Sequence, residues 1–163
     1  MNPPARGEQG FALIEMLIAI VVINIALLAI LLSLTSGVSA LRRSAETSTA
    51  SAVADQQLER YRALAYASIY LDTTSLAATD STYQGDSAYS ASQVSQTCSP
   101  VTAACNPSQT VTGPDGHSYR VDTYIVSVTP SGGTAVKQVT VVVRKSGSAA
   151  TLARVVSTAG VDF

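Results

Sequence analysis

From Phe11 to Leu34 the chain reads FALIEMLIAIVVINIALLAILLSL, and only Glu15, Asn24 and Ser33 interrupt the run with polar side chains. As a helix rising ~1.5 Å per residue, these 24 residues reach roughly 36 Å. The hydrocarbon core of a bilayer is about 30 Å thick. The pattern predicts one membrane-spanning helix. The next apolar stretch, Val139 to Val143, has the length of a strand.

Past Leu34 the pattern changes twice. Residues 38–71 hold no proline, and Leu58, Tyr61, Ala65 and Ile69 recur at helical spacing, as do Leu41, Ala45 and Ala52. Charged residues, from Arg42 and Arg43 to Arg62, fill the other faces. This predicts an amphipathic helix over 35–71, with the Leu58–Ile69 stripe facing a core. From Asp72 to Asn106 the composition turns to Ser, Thr, Ala, Asp and Gln, with Tyr83 and Tyr89 scattered in it. That reads as a long surface loop of low core-forming power, or else as a surface for a ligand or partner. Segment 72–108 is assigned to it. Segment 109–163 then reads as strands: Gln109–Thr112, Ser118–Thr129, Val136–Arg144 and Thr151–Ser157, separated by Gly113-Pro114-Asp115-Gly116, Pro130-Ser131-Gly132-Gly133 and Ser146-Gly147-Ser148. An antiparallel meander can leave one face wet.

Composition narrows the function. Ten Lys and Arg stand against eleven Asp and Glu, a net charge of −1, which argues against a polybasic nucleic-acid binder. Charged residues make up 13% of the chain, about half the usual share, while apolar residues make up 47%; low charge therefore points to lipid rather than disorder. One histidine and two cysteines exclude a His-rich metal site and a four-thiolate centre. His117 lies in a turn, no G-x-S-x-G elbow is present, and no G-x-x-x-x-G-K phosphate loop is present. Asp80 and Asp86 match no EF-hand spacing. No enzyme and no cofactor is expected. Cys98 and Cys105, in a segment that Pro100 and Pro107 keep non-helical, are expected to form a disulfide, with free thiols or a metal half-site as alternatives. A bridge that closes so short a loop contributes roughly 2–3 kcal/mol and implies an oxidising compartment.

Glu15 carries the most information. A carboxylate at the centre of a spanning helix costs about 2–3.5 kcal/mol, and less near an end. One reading puts Glu15 at the interface, where it is tolerated. The other gives it a positive partner in an assembly, since opposite charges about 4 Å apart gain roughly 4 kcal/mol at an effective dielectric of 20. The apolar run holds no Lys or Arg. A free α-amine at Phe11, made by a cut after Gly10, would supply the charge. A signal peptide fits poorly, because the apolar run is too long and the small residue precedes it.

The string Gly10-Phe11-Ala12-Leu13-Ile14-Glu15, heading a long apolar helix, resembles the processing and assembly motif of type IV pilins and pseudopilins. The resemblance covers about residues 6–34. It implies a leader at 1–10, a cut by prepilin peptidase after Gly10, methylation of Phe11 as the new N-terminus, and a role for Glu15 in subunit assembly. It implies an assembly helix at 11–34, membrane lipid, sister subunits and a platform protein as partners, and a head outside the cytoplasmic membrane. Many relatives carry a proline in the apolar segment; here Asn24 and Gly37 are the only irregularities. The expected fold class is α+β: a long N-terminal membrane-spanning helix continuing into a small head with a three- to four-stranded antiparallel sheet. The expected function is a structural subunit, with a pseudopilin of a secretion or DNA-uptake machine as the alternative. DNA would need exposed cations, for which Arg120, Lys137, Arg144, Lys145 and Arg154 are the candidates. A signal-anchored extracytoplasmic enzyme or binding module is the third reading.

Overall fold

The structure, a computed structural model, describes residues 8–74 and 80–160, with the side chains described from residue 13 onward. The first seven positions of the expected leader therefore lie outside the described residues. The chain divides into two compact units, Met1–Ser44 and Ala45–Phe163. Helix α1 (Glu8–Arg62) runs through both. In the first unit its large aliphatic side chains, Leu13 to Leu41, are all at least 50% exposed. It is long and apolar enough to cross a membrane.

The second unit is the head. Its sheet has the order β1-β2-β3-β4, antiparallel throughout. The strands are β1 (Ser108–Thr112), β2 (Ser118–Val128), β3 (Val136–Lys145) and β4 (Thr151–Ala159). Each lies where the β-branched runs and the Gly/Pro turns put it. Gly116 holds φ +74°, a left-handed conformation that glycine adopts without penalty. A Cβ at Gly113 would come within 2.7–2.8 Å of Tyr119 and Thr49, so the turn can approach the helix only as glycine. The architecture is α+β and pilin-like: a long N-terminal apolar helix followed by a four-stranded antiparallel sheet.

One face of the sheet packs on the helix. Ala50, Val53, Ala54, Gln57, Leu58 and Tyr61 form the buried stripe of α1. They recur at i, i+3, i+4, i+7, i+8 and i+11, the pattern of a core-facing helix. Opposite them lie Tyr119, Val121 and Ile125 of β2 and Val139, Val141 and Val143 of β3. Ala50 and Ala54 are both fully buried, and their small side chains let the backbones approach. The predicted stripe is corrected in part. Leu41, Ala45, Ala52 and Ala65 are exposed. The helix also stops at Arg62, not at residue 71. Beyond it the chain makes a 3₁₀ turn at Tyr66–Ser68. Leu71 then donates its N–H to Val94 O at 3.0 Å and accepts one from Gln96 at 2.9 Å. Ile69 and Leu71 are buried, but from extended backbone. A straight helix would carry them away from these partners.

The other face of the sheet is not wet. The segment read as a flexible loop (of which residues 75–79 lie outside the described part) folds back and covers it. Helix α2 (Ser81–Gln84) is capped by Asp80, which accepts from Tyr83 N. Tyr83 is fully buried. Its ring stacks on Tyr124 of β2 at 4.4 Å between centroids and meets Tyr89 edge-on at 6.0 Å. Its hydroxyl donates to Thr123 O at 2.7 Å, and the Tyr124 hydroxyl donates to Tyr83 O at 2.9 Å. Such reciprocal bonding explains how a polar segment stays down without a large apolar surface: two aromatic rings supply the burial, and each phenol satisfies a backbone carbonyl.

The two interactions of Tyr83 separate by substitution. Tyr83→Phe keeps the stack and loses the hydroxyl bonds, costing about 1 kcal/mol. Tyr83→Ala removes the ring as well and costs about 3–5 kcal/mol. Urea unfolding of the detergent-solubilised chain measures both. Equal, near-zero losses would show that the segment does not seal this face.

Candidate functional site

The processing residues open α1. Gly10 and Phe11 lie in its first turns. Glu15 follows on the same helix, exposed, and among the described residues no hydrogen bond or ion pair reaches it. Asn24 donates from its amide to Ile20 O at 2.7 Å, one turn back. Thr35 and Ser39 bond back in the same way, to Leu32 O at 2.9 Å and Ser36 O at 2.8 Å. Local bonding of this kind satisfies a polar group where water is absent.

On the head, charge is spent internally. Arg120 donates to Asp122 at 2.8 Å and to Asp80 at 2.7 Å. Arg144 pairs with both Asp122 and Asp86, and its Nε donates to Ala149 O at 3.2 Å. Arg154 pairs with Asp86 at 2.9 Å. Asp122 is fully buried and also accepts from Ser108 Oγ at 2.6 Å. Three guanidinium groups thus face three carboxylates across β2, β3, β4 and the 80–89 segment. Burial pushes the Asp86 carboxyl up, but the Ala88 N–H, Arg154 and Arg144 outweigh it and hold it below the usual range. Asp80 follows the same balance: burial raises it, and the Tyr83 N–H and Arg120 lower it further.

The remaining cations are engaged too. Lys145 pairs with Glu46 of α1 at 2.6 Å, and this bond holds the Glu46 carboxyl below its ordinary value. Lys137 is buried, donates to Tyr66 O at 2.7 Å and Ile69 O at 2.8 Å, and sits 4.5 Å from the Tyr66 ring centroid. Burial lowers its pKa. These contacts fasten the 3₁₀ turn to the sheet. All five cations considered for DNA therefore hold the head together. That weighs against the DNA reading: Arg120 and Arg144 are each shared between two carboxylates, which leaves little positive field for phosphate.

Cys98 and Cys105 are joined in a disulfide. Asp72 binds both ends of the loop, accepting from Cys98 N at 3.0 Å and donating its own N–H to Cys105 O at 2.7 Å. Gln57 of α1 donates to Ala103 O at 2.9 Å and accepts from Gln109 at 3.0 Å. The bridged loop is thus tied to helix and sheet. His117 stays exposed in its turn, where its backbone N–H donates to Asp115. The Asp115 carboxylate is occupied by the Tyr119 hydroxyl, which lowers its pKa; burial raises Tyr119 to about 12.

The family model for a prokaryotic N-terminal methylation motif matches residues 5–34. The chain carries the type IV prepilin signature. The signature stands at the head of a long apolar helix with an α+β head behind it, and it supports a type IV pilin- or pseudopilin-like protein. Comparison with curated proteins and with solved structures finds no match. The arginine–aspartate network was not legible in the sequence. Its one signal was Asp122 in the middle of a strand rich in Tyr, Val and Ile, two residues from Arg120, where a buried carboxylate demands a cation.

Two outcomes follow for the head. Asp80 and Asp86 are depressed on folding, so they stabilise it above the unfolded value of about 3.9 and lose that contribution as pH falls through their folded values. Near-UV circular dichroism of the tyrosine stack should hold steady to about pH 4 and decay below it; an unchanged signal well into acid would contradict the network. Arg144→Met strands a carboxylate in the interior and should cost about 3–5 kcal/mol in urea unfolding.

Proposed function

We propose that the chain is the precursor of a minor pilin, a structural subunit of a type IV pilus-like filament. Prepilin peptidase cuts between Gly10 and Phe11 and methylates the Phe11 amine. The precursor sits in the cytoplasmic membrane through residues 11–34, with its head outside, and sister subunits and a platform protein take it into the filament. Glu15 then meets the α-amine of a neighbour. One observation carries this reading: the large aliphatic side chains directly behind the methylation motif are all at least half exposed, so other molecules must cover them.

The assembly mechanism is helix packing. In the membrane, lipid covers the aliphatic run. In the filament, the same run on other subunits replaces lipid, so dispersion rather than dewetting drives assembly. Charge pairing at Glu15 sets the register. The disulfide supports an outside head, because such bridges persist in oxidising compartments. The Ser/Thr-rich surface and sparse aromatics support a minor subunit. The internal engagement of Arg120, Arg144 and Arg154 weighs against the DNA-uptake branch of the pseudopilin alternative.

Intact mass and N-terminal sequencing of the membrane-extracted protein test the processing. The expected start is methylated Phe11; a start at Met1 with the peptidase present overturns it. Glu15→Ala should be cleaved normally yet fail to enter filaments, and unchanged incorporation would remove Glu15 from the mechanism.

A further inference from the structure

Asn24 is the one amide in a helix segment whose other side chains are nearly all aliphatic, and its position is not arbitrary. Seven-residue steps from Asn24 reach Leu17, Leu31 and Val38. Three residues after each of these four positions come Ile20, Leu27, Leu34 and Leu41. The two series form one seam at alternating spacings of three and four, the a and d positions of a parallel two-stranded coil. Between Leu17 and Leu34 thirteen of eighteen positions are Leu, Ile or Val, so the seam there discriminates little. Beyond it the seam is selective. From Thr35 to Ser44 only Val38 and Leu41 are large and apolar; they fall on the seam and are 55% and 72% exposed. Lipid accounts for the apolar run, but it does not require Val38 and Leu41 to continue the register that Asn24 begins.

Asn24 supplies the second half of the argument. Its amide has two N–H donors and one oxygen. One N–H goes to Ile20 O at 2.7 Å, which leaves the other N–H and the oxygen without an intrahelical bond. The side chain is exposed on the helix. In hydrocarbon such a group seeks a partner with one donor and one acceptor. A second copy inserted in the same direction brings an identical amide to the same depth. The pair is self-complementary, each oxygen accepting from the other's N–H.

We infer that, in the membrane, α1 forms a parallel, in-register homodimer along the Leu17–Leu41 seam, with the two Asn24 amides bonded to each other. The inference rests on the membrane-anchored reading above. It concerns a different face from the one used in assembly: Glu15 lies nine residues before Asn24, about two and a half turns, and so on the opposite side of the helix. The dimer leaves the Glu15 face open. An in-register pair stores subunits at equal depth, and extraction of one subunit toward a filament parts the amides.

Cysteine cross-linking in membranes tests it. The full chain, native Cys98–Cys105 bridge retained, is expressed in a host without prepilin peptidase or other pilins, so no filament forms. Single Ile20→Cys and Leu27→Cys variants should cross-link to twice the chain mass on mild oxidation. Val22→Cys and Ala26→Cys, on the far face, should not, and neither should the parent chain. Asn24→Leu, which is more apolar and inserts at least as well, should cut the Leu27→Cys product about fivefold or more. Asn24→Gln should keep it. Equal cross-linking on both faces, indifference to Asn24→Leu, or an adduct with the mass of another chain overturns the dimer and leaves the anchored reading standing. Recovery of the chain in the soluble fraction overturns both.

Discussion

A long run of aliphatic side chains that nothing in its own unit buries sets the terms for the rest of this molecule. Every large apolar residue from Leu13 to Leu41 is at least half exposed. No globular protein keeps such a surface in water. The run therefore needs lipid or other helices to cover it. The prepilin signature at 5–34 sits at the start of this run, where a cut would leave a charged amine beside Glu15.

The head solves a separate problem. It is small, so its apolar core is small, and it has two sheet faces to cover with one helix segment. The helix covers one with Val, Leu and Tyr against Val and Ile. The other is closed by a polar segment held with two stacked tyrosines and a three-arginine, three-aspartate network. Buried ion pairs are weak sources of net stability, because desolvation offsets the Coulomb gain. They are strong sources of specificity, since any other docking of the 80–89 segment would part Asp80 from Arg120 and Asp86 from Arg144 and Arg154. The network therefore fixes where the segment lies more than how tightly it lies there.

Much of this was legible from residue order. The apolar run, the four strands and the Gly/Pro turns follow from local rules, because β-branched alternation and positive-φ glycines act within a few residues of themselves. The helix end was not legible. Leu58, Tyr61, Ala65 and Ile69 keep helical spacing, and only the tertiary bonds of Leu71 to Val94 and Gln96 reveal that the chain leaves the helix after Arg62. The 72–106 segment was misread for a related reason. Its composition lacks core formers, and its order comes from partners far away in sequence: Tyr83 with Tyr124, Asp86 with Arg144 and Arg154. The five head cations were legible as charges but not as spent charges, because pairing depends on strand register. Arg120 and Arg144 lie directly opposite each other across β2 and β3. Two like charges at such a pair are unfavourable unless acids stand between them, and Asp122, two residues along, is placed to do so.

The same logic bears on the helix. A polar group in an apolar run is costly wherever it sits, and the two most polar ones here, Glu15 and Asn24, differ in what can relieve them. Glu15 carries a full charge, so only a cation brings it to neutrality, and the apolar run contains none. In the proposed assembly its relief comes from a new terminus on another chain. Asn24 is neutral and already half satisfied by Ile20 O, so its remaining need is met by any amide at the same depth. The charged residue therefore favours an arrangement in which chains are displaced along the axis, its carboxylate level with a neighbour's first residue rather than with its own counterpart. The amide favours chains side by side without displacement. On the two proposals together, groups on opposite faces of one helix encode two different axial offsets, and a subunit that moves from membrane to filament exchanges the second for the first.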